Sequence, residues 1–288
     1  MYFAEQYFFI SIIFQLFSNF IQQMIHINNI NDALISEFKD LRKKYNDDVK
    51  QGKYFVAEGE KTVLRLLKSK LKILKFLCTD AYLEKYRDLI NSRNIGKLII
   101  AEQPLLNEII GFKMHQGIIA LGVEPDETPL PHLDNIVIVS NGIIDAENIG
   151  SIIRNGAAFG LSSIICDKSS ISPYLRRAVR VSIGNIFDFK HYHSSDLLAD
   201  LLELKYKYNY SIIVAELNDD SVDIEGFSFP ENFAIVFGNE GYGVSKEIIA
   251  IADSIIKINI AENINSINVA ASTAIFFHKI STNRNIGE

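Results

Sequence analysis

The sequence predicts an α/β protein in two parts, a small mixed domain followed by a larger one built on a parallel sheet. Three observations carry that expectation. Short runs of Ile, Val and Phe alternate with segments of helical spacing through most of the chain, and from residue 134 onward the alternation is strict. Three of the six prolines fall in "PDETPLPH" (125–132), which can continue neither a helix nor a central strand and so marks a boundary. Strands apolar on both faces, joined by helices, are the mark of a parallel sheet covered on both sides.

The elements follow in order. An apolar extension over residues 1–30 precedes a first domain over 31–123. In it "DALISEFKDLRKKY" (32–45) and "EKTVLRLLKS" (60–69) have helical spacing, and "YFVAEG" (54–59), "LKILKFLCT" (71–79) and "KLIIAE" (97–102) read as strands. After a linker over 124–133, the second domain (134–288) opens with the strand "NIVIVS" and the helix "IGSIIRNGAAFG", closed by Gly160. Next come the strand "SSIIC", the helix "PYLRRAVRVSI" with Pro173 suited to its first turn, and the helix "LLADLLELKY". "YSIIVAE" and "FAIVF" are strands, "SKEIIAIA" is helical, "SIIKINI" is a strand and "SINVAASTAIFFHKI" is a long closing helix.

Composition narrows the class of function. A net charge of −6 argues against a protein that coats nucleic acid through bulk charge. Between Arg42 and Lys75, however, eleven Lys or Arg stand against four acids, which predicts one basic face on an acidic molecule. Cys78 and Cys166 stand far apart, and the one close histidine pair, His191 and His193, lacks a ligand pattern, so no metal is expected and a reducing cytoplasm is. Residues 1–27 are rich in Phe and Ile but interrupted by Glu5, Gln15, Asn19, Gln22 and Gln23. That suits neither a secretory signal nor a spanning helix. Two readings stay open: an amphipathic extension packed on the body, or a start upstream of the natural one, with Met24 at the head of a more ordinary sequence.

In a parallel α/β sheet the ligand lies beyond the carboxyl ends of the strands. Three polar loops follow strands there, "NGIIDAENIGSIIR", "GNEGYG" and "AENINSIN", and can converge on one pocket. "GNEGYG" (238–243) has the wrong glycine order for a dinucleotide turn, and no P-loop occurs. Three glycines in six residues still expose backbone N–H groups to a flat ligand, so the stretch is read as a pocket turn, neither a hairpin nor a phosphate loop.

Taken in order, "NGIIDAENIGSIIRNGAAFG", "IVFGNEGYGVS" and "IKINIAENINSINVAAS" resemble motifs one, two and three of the SpoU (TrmH-type) RNA ribose methyltransferases of the SPOUT superfamily. "SPYLRRAVRVSIGNIF" is similar to the intervening segment, and "YFVAEGEKTV" and "MHQGIIAL" resemble the family's small substrate-binding domain. The resemblance implies a C-terminal domain with a deep trefoil knot, an exception to the rule that chains do not thread loops. It also implies bound S-adenosylmethionine, transfer of its methyl group to a ribose 2′-hydroxyl of RNA, and a homodimer with no metal and no membrane partner. Ribosomal RNA stands ahead of transfer RNA as substrate; a non-catalytic RNA-binding protein of the same fold is the alternative. A protein anchored to membranes by residues 1–27 is a third class.

Carried over position by position, the resemblance assigns Asn148, Arg154, Glu240, Ser266 and Asn268 to catalysis and Gly238, Asn239, Ile258, Ile260 and Ile267 to the cofactor. The reaction needs the 2′-hydroxyl deprotonated or polarised. Family proposals give this to Arg154, yet a guanidinium is almost never neutral near pH 7, so a clamp on the neighbouring phosphate stays open beside a base. Asn148 follows an acidic turn and opens a helix, which makes it a candidate cap, a role compatible with orienting Arg154. Glu240 either ties down its own loop or anchors the site, and for Ser266 and Asn268 capping competes with a site role. The family often has Pro at the positions of Ala146 and Asn259, Gly just beyond Ala261 and Leu at Ile267, departures that remove no proposed polar group. For reading RNA, the expectation is the basic run with Tyr45, Tyr54 and Phe55 for stacking, and Arg176, Arg177 and Arg180 for phosphates.

Overall fold

The computed structural model describes residues 24–39, 41, 53–113, 116–261, 263–264 and 266–284. The chain divides after Glu124 into two compact units. The first holds β1 (Met24–His26), β2 (Tyr54–Glu58), α1 (Glu60–Lys68), β3 (Ile73–Cys78), α2 (Asp80–Lys85), α3 (Arg87–Asn91), β4 (Ile95–Ile100), α4 (Gln103–Ile110) and β5 (Ile118–Val123). Its sheet runs β1-β4-β3-β5-β2, with β1, β4 and β3 parallel and β5 antiparallel to β3 and β2. Gly59 turns the chain from β2 into α1 at φ +85°, and α1 lays Val63, Leu66 and Leu67 on the core.

Several expectations for this half are corrected. Met24–His26 pairs with β4 and Ile27 joins the core, so residues expected to belong to the extension are part of the first unit's sheet and core. A three-residue edge strand is too short to show a period. The helix expected over 32–45 is a 3-10 stretch over Ala33–Phe38, capped by Asp32, with its later residues largely outside the described set. Residues 1–23, on which the extension reading rests, also lie outside it. Phe55 is no stacking platform. Only 2 % exposed, its ring fills the space that a side chain at Gly122 would need, and Tyr54 packs on the core. Tyr45 lies outside the described residues.

The second unit holds β6 (Ile136–Asn141), α5 (Ala146–Ala158), β7 (Ser163–Asp167), α6 (Arg176–Val181), β8 (Lys190–Ser194), α7 (Leu197–Lys207), β9 (Ser211–Ala215), β10 (Val222–Asp223), β11 (Phe233–Gly238), α8 (Lys246–Ile251), β12 (Ser254–Lys257) and α9 (Val269–Arg284). Its seven described strands are all parallel, in the order β10-β12-β9-β11-β6-β7-β8. The central strands are buried on both faces: Val137, Val139, Ile212, Val214, Ala234 and Val236 are fully enclosed. One core cluster joins them to Leu197, Leu201 and Leu204 of α7 and Ile248 of α8. α5 packs on α6 and α9. Gly150 makes the first contact possible, because a Cβ there would lie 2.8 Å from the Ala178 carbonyl oxygen.

The proline-rich stretch is less of a linker than its composition suggests. The Thr128 amide donates to the His191 carbonyl at 2.8 Å, and Leu130 and Leu133 enter the core of the second unit. Proline bars these residues from a sheet but not from packing. Pro173 stands three positions before the first residue of α6 and sits in a turn rather than in the helix. In β8, His191 is buried and His193 exposed, so the pair does not share one environment.

Candidate functional site

A cleft of about 430 Å³ opens at the carboxyl ends of β9, β11 and β12. Its walls are residues 215–217 after β9, 237–243 across the end of β11, 256–258 and Ile260 after β12, and 266–269 with Ser272 and Phe276 at the start of α9. Gly238, Asn239, Ile258, Ile260 and Ile267 all line it, as do Glu240, Ser266 and Asn268. Asn148 and Arg154 do not. The segment after β9 was overlooked in the sequence reading because it carries no motif. The rule that ligands lie past strand ends applies to "YSIIVAE" as much as to its neighbours and would have found Glu216.

Asn148 joins the cleft through its bonds. It lies inside α5, whose cap is Asp145, bonded to the Glu147 amide; the capping reading of Asn148 is therefore overturned. Its buried side chain is free to reach across the unit. Nδ2 donates to Glu240 Oε1, and Oδ1 accepts from Asn268 Nδ2 at 3.2 Å. Asn268 in turn caps α9, its Oδ1 accepting from the Ala270 amide at 2.8 Å. For Asn268, capping and a place in the site are the same geometry. One turn pair further along α5, Asn155 donates to the Ala270 carbonyl (2.7 Å) and to Thr273 Oγ1 (3.0 Å), holding α5 against α9. Three stretches distant in sequence thus meet in one polar chain.

The "GNEGYG" turn is closed by its own backbone. Asn239 and Gly243 exchange two backbone hydrogen bonds (3.1 and 2.8 Å), the pairing of a single antiparallel bridge. The expectation that the stretch is not a hairpin is therefore corrected in its local hydrogen bonding: Gly243 at φ +69° lets the loop return on itself. The loop is tied down by Asn239, not by Glu240. Asn239 Oδ1 accepts from the amides of Gly241 (2.8 Å) and Tyr242 (3.2 Å), and its Nδ2 donates to the Gly142 carbonyl at 2.8 Å. Gly238 sits at a backbone crossing, where a Cβ would lie 2.2 Å from the Gly243 carbonyl carbon. Glu216 closes the base of the turn, its Oε2 accepting from the Val244 amide at 2.9 Å.

Beneath this, Asp167 at the end of β7 organises the loop after β6. Its carboxylate accepts from the amides of Gly142 (3.0 Å) and Ser170 (2.8 Å), the hydroxyls of Ser169 and Ser170 (2.5 Å each), and Asn141 Nδ2 (3.2 Å). Burial pulls its pKa upward, but the bonds from Ser169, Ser170, Gly142 and Asn141 outweigh it and hold the carboxyl below its ordinary value. Asn141 relays the order onward, its Oδ1 accepting from the Ser245 amide at 2.8 Å.

Arg154 is exposed on α5, and none of the described residues pairs with it. Arg177 is engaged by Glu147. In the first unit Lys75 is withdrawn from the basic run, bonded to Glu37 at 2.5 Å and to the Leu34 carbonyl at 2.9 Å. Lys61, Lys68, Lys70 and Lys72 are exposed, and Arg42, Lys43, Lys44 and Lys50 lie outside the described residues. No helix among the described residues is long and apolar enough to cross a membrane.

Comparison with known proteins agrees with this arrangement. Residues 135–278 match the model of the SpoU rRNA Methylase family. An uncharacterized tRNA/rRNA methyltransferase of Mycobacterium tuberculosis is 27% identical over 258 residues, 86% of this chain and 88% of the relative. The 23S rRNA (guanosine-2'-O-)-methyltransferase RlmB of Acinetobacter baylyi is 23% identical over 193 residues, 64% and 77% of the two chains. In fold, the AdoMet-bound rRNA methyltransferase of Sinorhizobium meliloti superposes with a TM-score of 0.78 at 20% identity, covering 92% of this chain and all of its own. The half of the chain that the family model matches is also the half that builds the cleft, and the chain belongs to the SpoU rRNA Methylase family.

Proposed function

We propose that this methylase transfers a methyl group from S-adenosylmethionine to a ribose 2′-hydroxyl of RNA, ribosomal RNA ahead of transfer RNA. The observation that carries the reading is the chain Glu240–Asn148–Asn268, which binds the three motif segments together at the edge of the cleft. The residues present suit the cofactor. Phe237, Ile258, Ile267 and Phe276 offer apolar surface for a flat purine, the glycines of 238–243 leave backbone groups open, and the cleft is of small-molecule size. When bound, S-adenosylmethionine supplies an electrophilic methyl group on a sulfonium.

The chain's own residues have the remaining work. Arg154 clamps the phosphate beside the target ribose and so positions the hydroxyl. Glu240, Asn148 and Asn268 keep the first turn of α5 and the start of α9 in register with the cleft. Gly238, Asn239, Ile258, Ile260 and Ile267 would hold the cofactor, whose methyl group the 2′-hydroxyl oxygen would accept as the hydroxyl proton passed to solvent. Ribosomal RNA is favoured by the family description and by the name of the Acinetobacter baylyi relative. The reading includes the trefoil knot and a homodimer with sites near the subunit interface. It also includes a cytoplasmic location and an RNA-reading role for the first unit.

The test is a labelled-methyl transfer from S-adenosylmethionine onto total RNA of a strain lacking the protein, followed by separation of ribosomal from transfer RNA. Label resistant to base hydrolysis of the adjacent phosphodiester, in the ribosomal fraction, is the expected result. No label in any fraction, with no cofactor binding by calorimetry, would overturn the reading.

A further inference from the structure

Among the described residues the cleft is lined by two carboxylates, Glu216 and Glu240. Glu240 is engaged by Asn148, whereas Glu216 has no place in any of the three motifs. Phe237 of β11 pairs with Ala215 of β9, so the next residues, Gly238 and Glu216, leave the sheet side by side. The backbone of Glu216 is fixed as well, its amide donating to the Ile256 carbonyl of β12 at 3.1 Å. Its carboxylate lies flat on Gly243: a Cβ there would be 2.5 Å from Oε2 and 3.1 Å from Oε1. One oxygen is bonded to Val244, and the carboxylate keeps acceptor capacity beyond that bond.

A glycine-rich turn past one parallel strand, with an acid at the end of the strand beside it, is a combination with a physical purpose. The glycines let a nucleoside approach the backbone, and the acid, about 4.8 Å away across the sheet, accepts from the ribose hydroxyls. Here the turn is 238–243 past β11, and the acid is Glu216 past β9. We propose that Glu216 reads the ribose diol of the adenosyl ligand and so sets specificity for a ribonucleoside. The inference rests on the methyltransferase reading above. Because Val244 and Gly243 hold the carboxylate in one orientation, a rigid vicinal diol suits it better than a mobile ammonium group.

The test is calorimetric titration of the full chain with S-adenosylhomocysteine and its 2′-deoxy and 3′-deoxy analogues. Wild type is expected to bind the parent at least about tenfold tighter than one of the analogues. In Glu216→Ala that ratio falls to within about twofold, and the parent binds at least about tenfold more weakly. Glu216→Gln retains an acceptor for the Val244 amide and separates support of the loop from recognition; it is expected to keep the unfolding midpoint while the ratio shrinks. A variant that weakens parent and analogues equally would overturn the assignment and leave Glu216 as a loop support. Wild type that binds no adenosyl ligand would remove the methyltransferase reading, and this inference with it.

Discussion

The side-chain amide of Asn148 donates to the carboxylate of Glu240 across 92 residues of chain, and its carbonyl accepts from Asn268 a further 120 residues away from Asn148. One buried amide therefore uses both its ends to join two loops that no local pattern connects. Replacing Asn148 by Ala leaves the two partners without their bonds in a half-enclosed site. Methyl transfer should fall roughly 10- to 100-fold, with about 1–2 kcal/mol of stability lost. Single-turnover kinetics with denaturant unfolding checks both; unchanged rates would show that the bond only supports the fold.

Gly238 and Gly243 make a sharper pair of tests. A methyl group on Gly238 would fall 2.2 to 2.5 Å from the Gly243–Val244 backbone, which cannot yield as a side chain does, so Gly238→Ala should cost about 3 kcal/mol or more and abolish ligand binding. Gly243→Ala meets the Glu216 carboxylate, a side-chain end rather than backbone, and must also adopt φ +69°, a strain of about 1–2 kcal/mol. The order of unfolding midpoints, with Gly238→Ala lowest, decides between crossing and simple turn flexibility.

For Arg154, exposure and the lack of a described partner predict that Arg154→Ala leaves the unfolding midpoint and cofactor affinity unchanged. Its methyl transfer should fall by roughly 100-fold or more. Arg154→Lys discriminates the roles. A phosphate clamp keeps part of the rate and a flat pH profile, whereas a base gives a rate that rises with pH and shifts with the substitution. Full activity in Arg154→Ala would remove the residue from the mechanism.

Asp167 ties stability to pH. Its folded-state pKa lies below the unfolded one, so its contribution is complete above about pH 3.9 and drains away as pH falls from there toward the depressed value. Asp167→Asn places an NH₂ group among donors, opposite either Asn141 Nδ2 and the Ser169 hydroxyl or the amides of Gly142 and Ser170. A loss of about 2 kcal/mol at pH 7, shrinking below pH 4, is expected from urea titrations at both values.

Much of the second unit was legible before any coordinates. β6, β7, β9, β11 and β12, the helix closed near Gly160 and the order of the loops follow from runs and periods a few residues long, where propensity and burial act locally; β8, with its two histidines, and the two-residue β10 have no such run and escape the sequence. The first unit was harder to read. Met24–His26 is too short to carry a period, and Phe55, hydrophobic on a chain expected to stack bases, belongs to the core because Gly122 of the facing strand leaves room for its ring.

At the site the division is the same. The types of side chain needed at the cleft, and the glycines that let backbone approach backbone, are written in short stretches such as 235–245. Which residues meet is another matter. That Glu216 stands beside Gly238 follows from strand order and register, and that Asn148 meets both Glu240 and Asn268 follows from the tertiary fold; that Asp145 rather than Asn148 caps α5 and that Asn239 rather than Glu240 holds the turn are local contacts, decided by which of several polar neighbours the fold leaves free to make them. Hydrogen bonds between residues a hundred positions apart exist only once β9, β11 and β6 lie side by side, and no local energy term reports that neighbourhood.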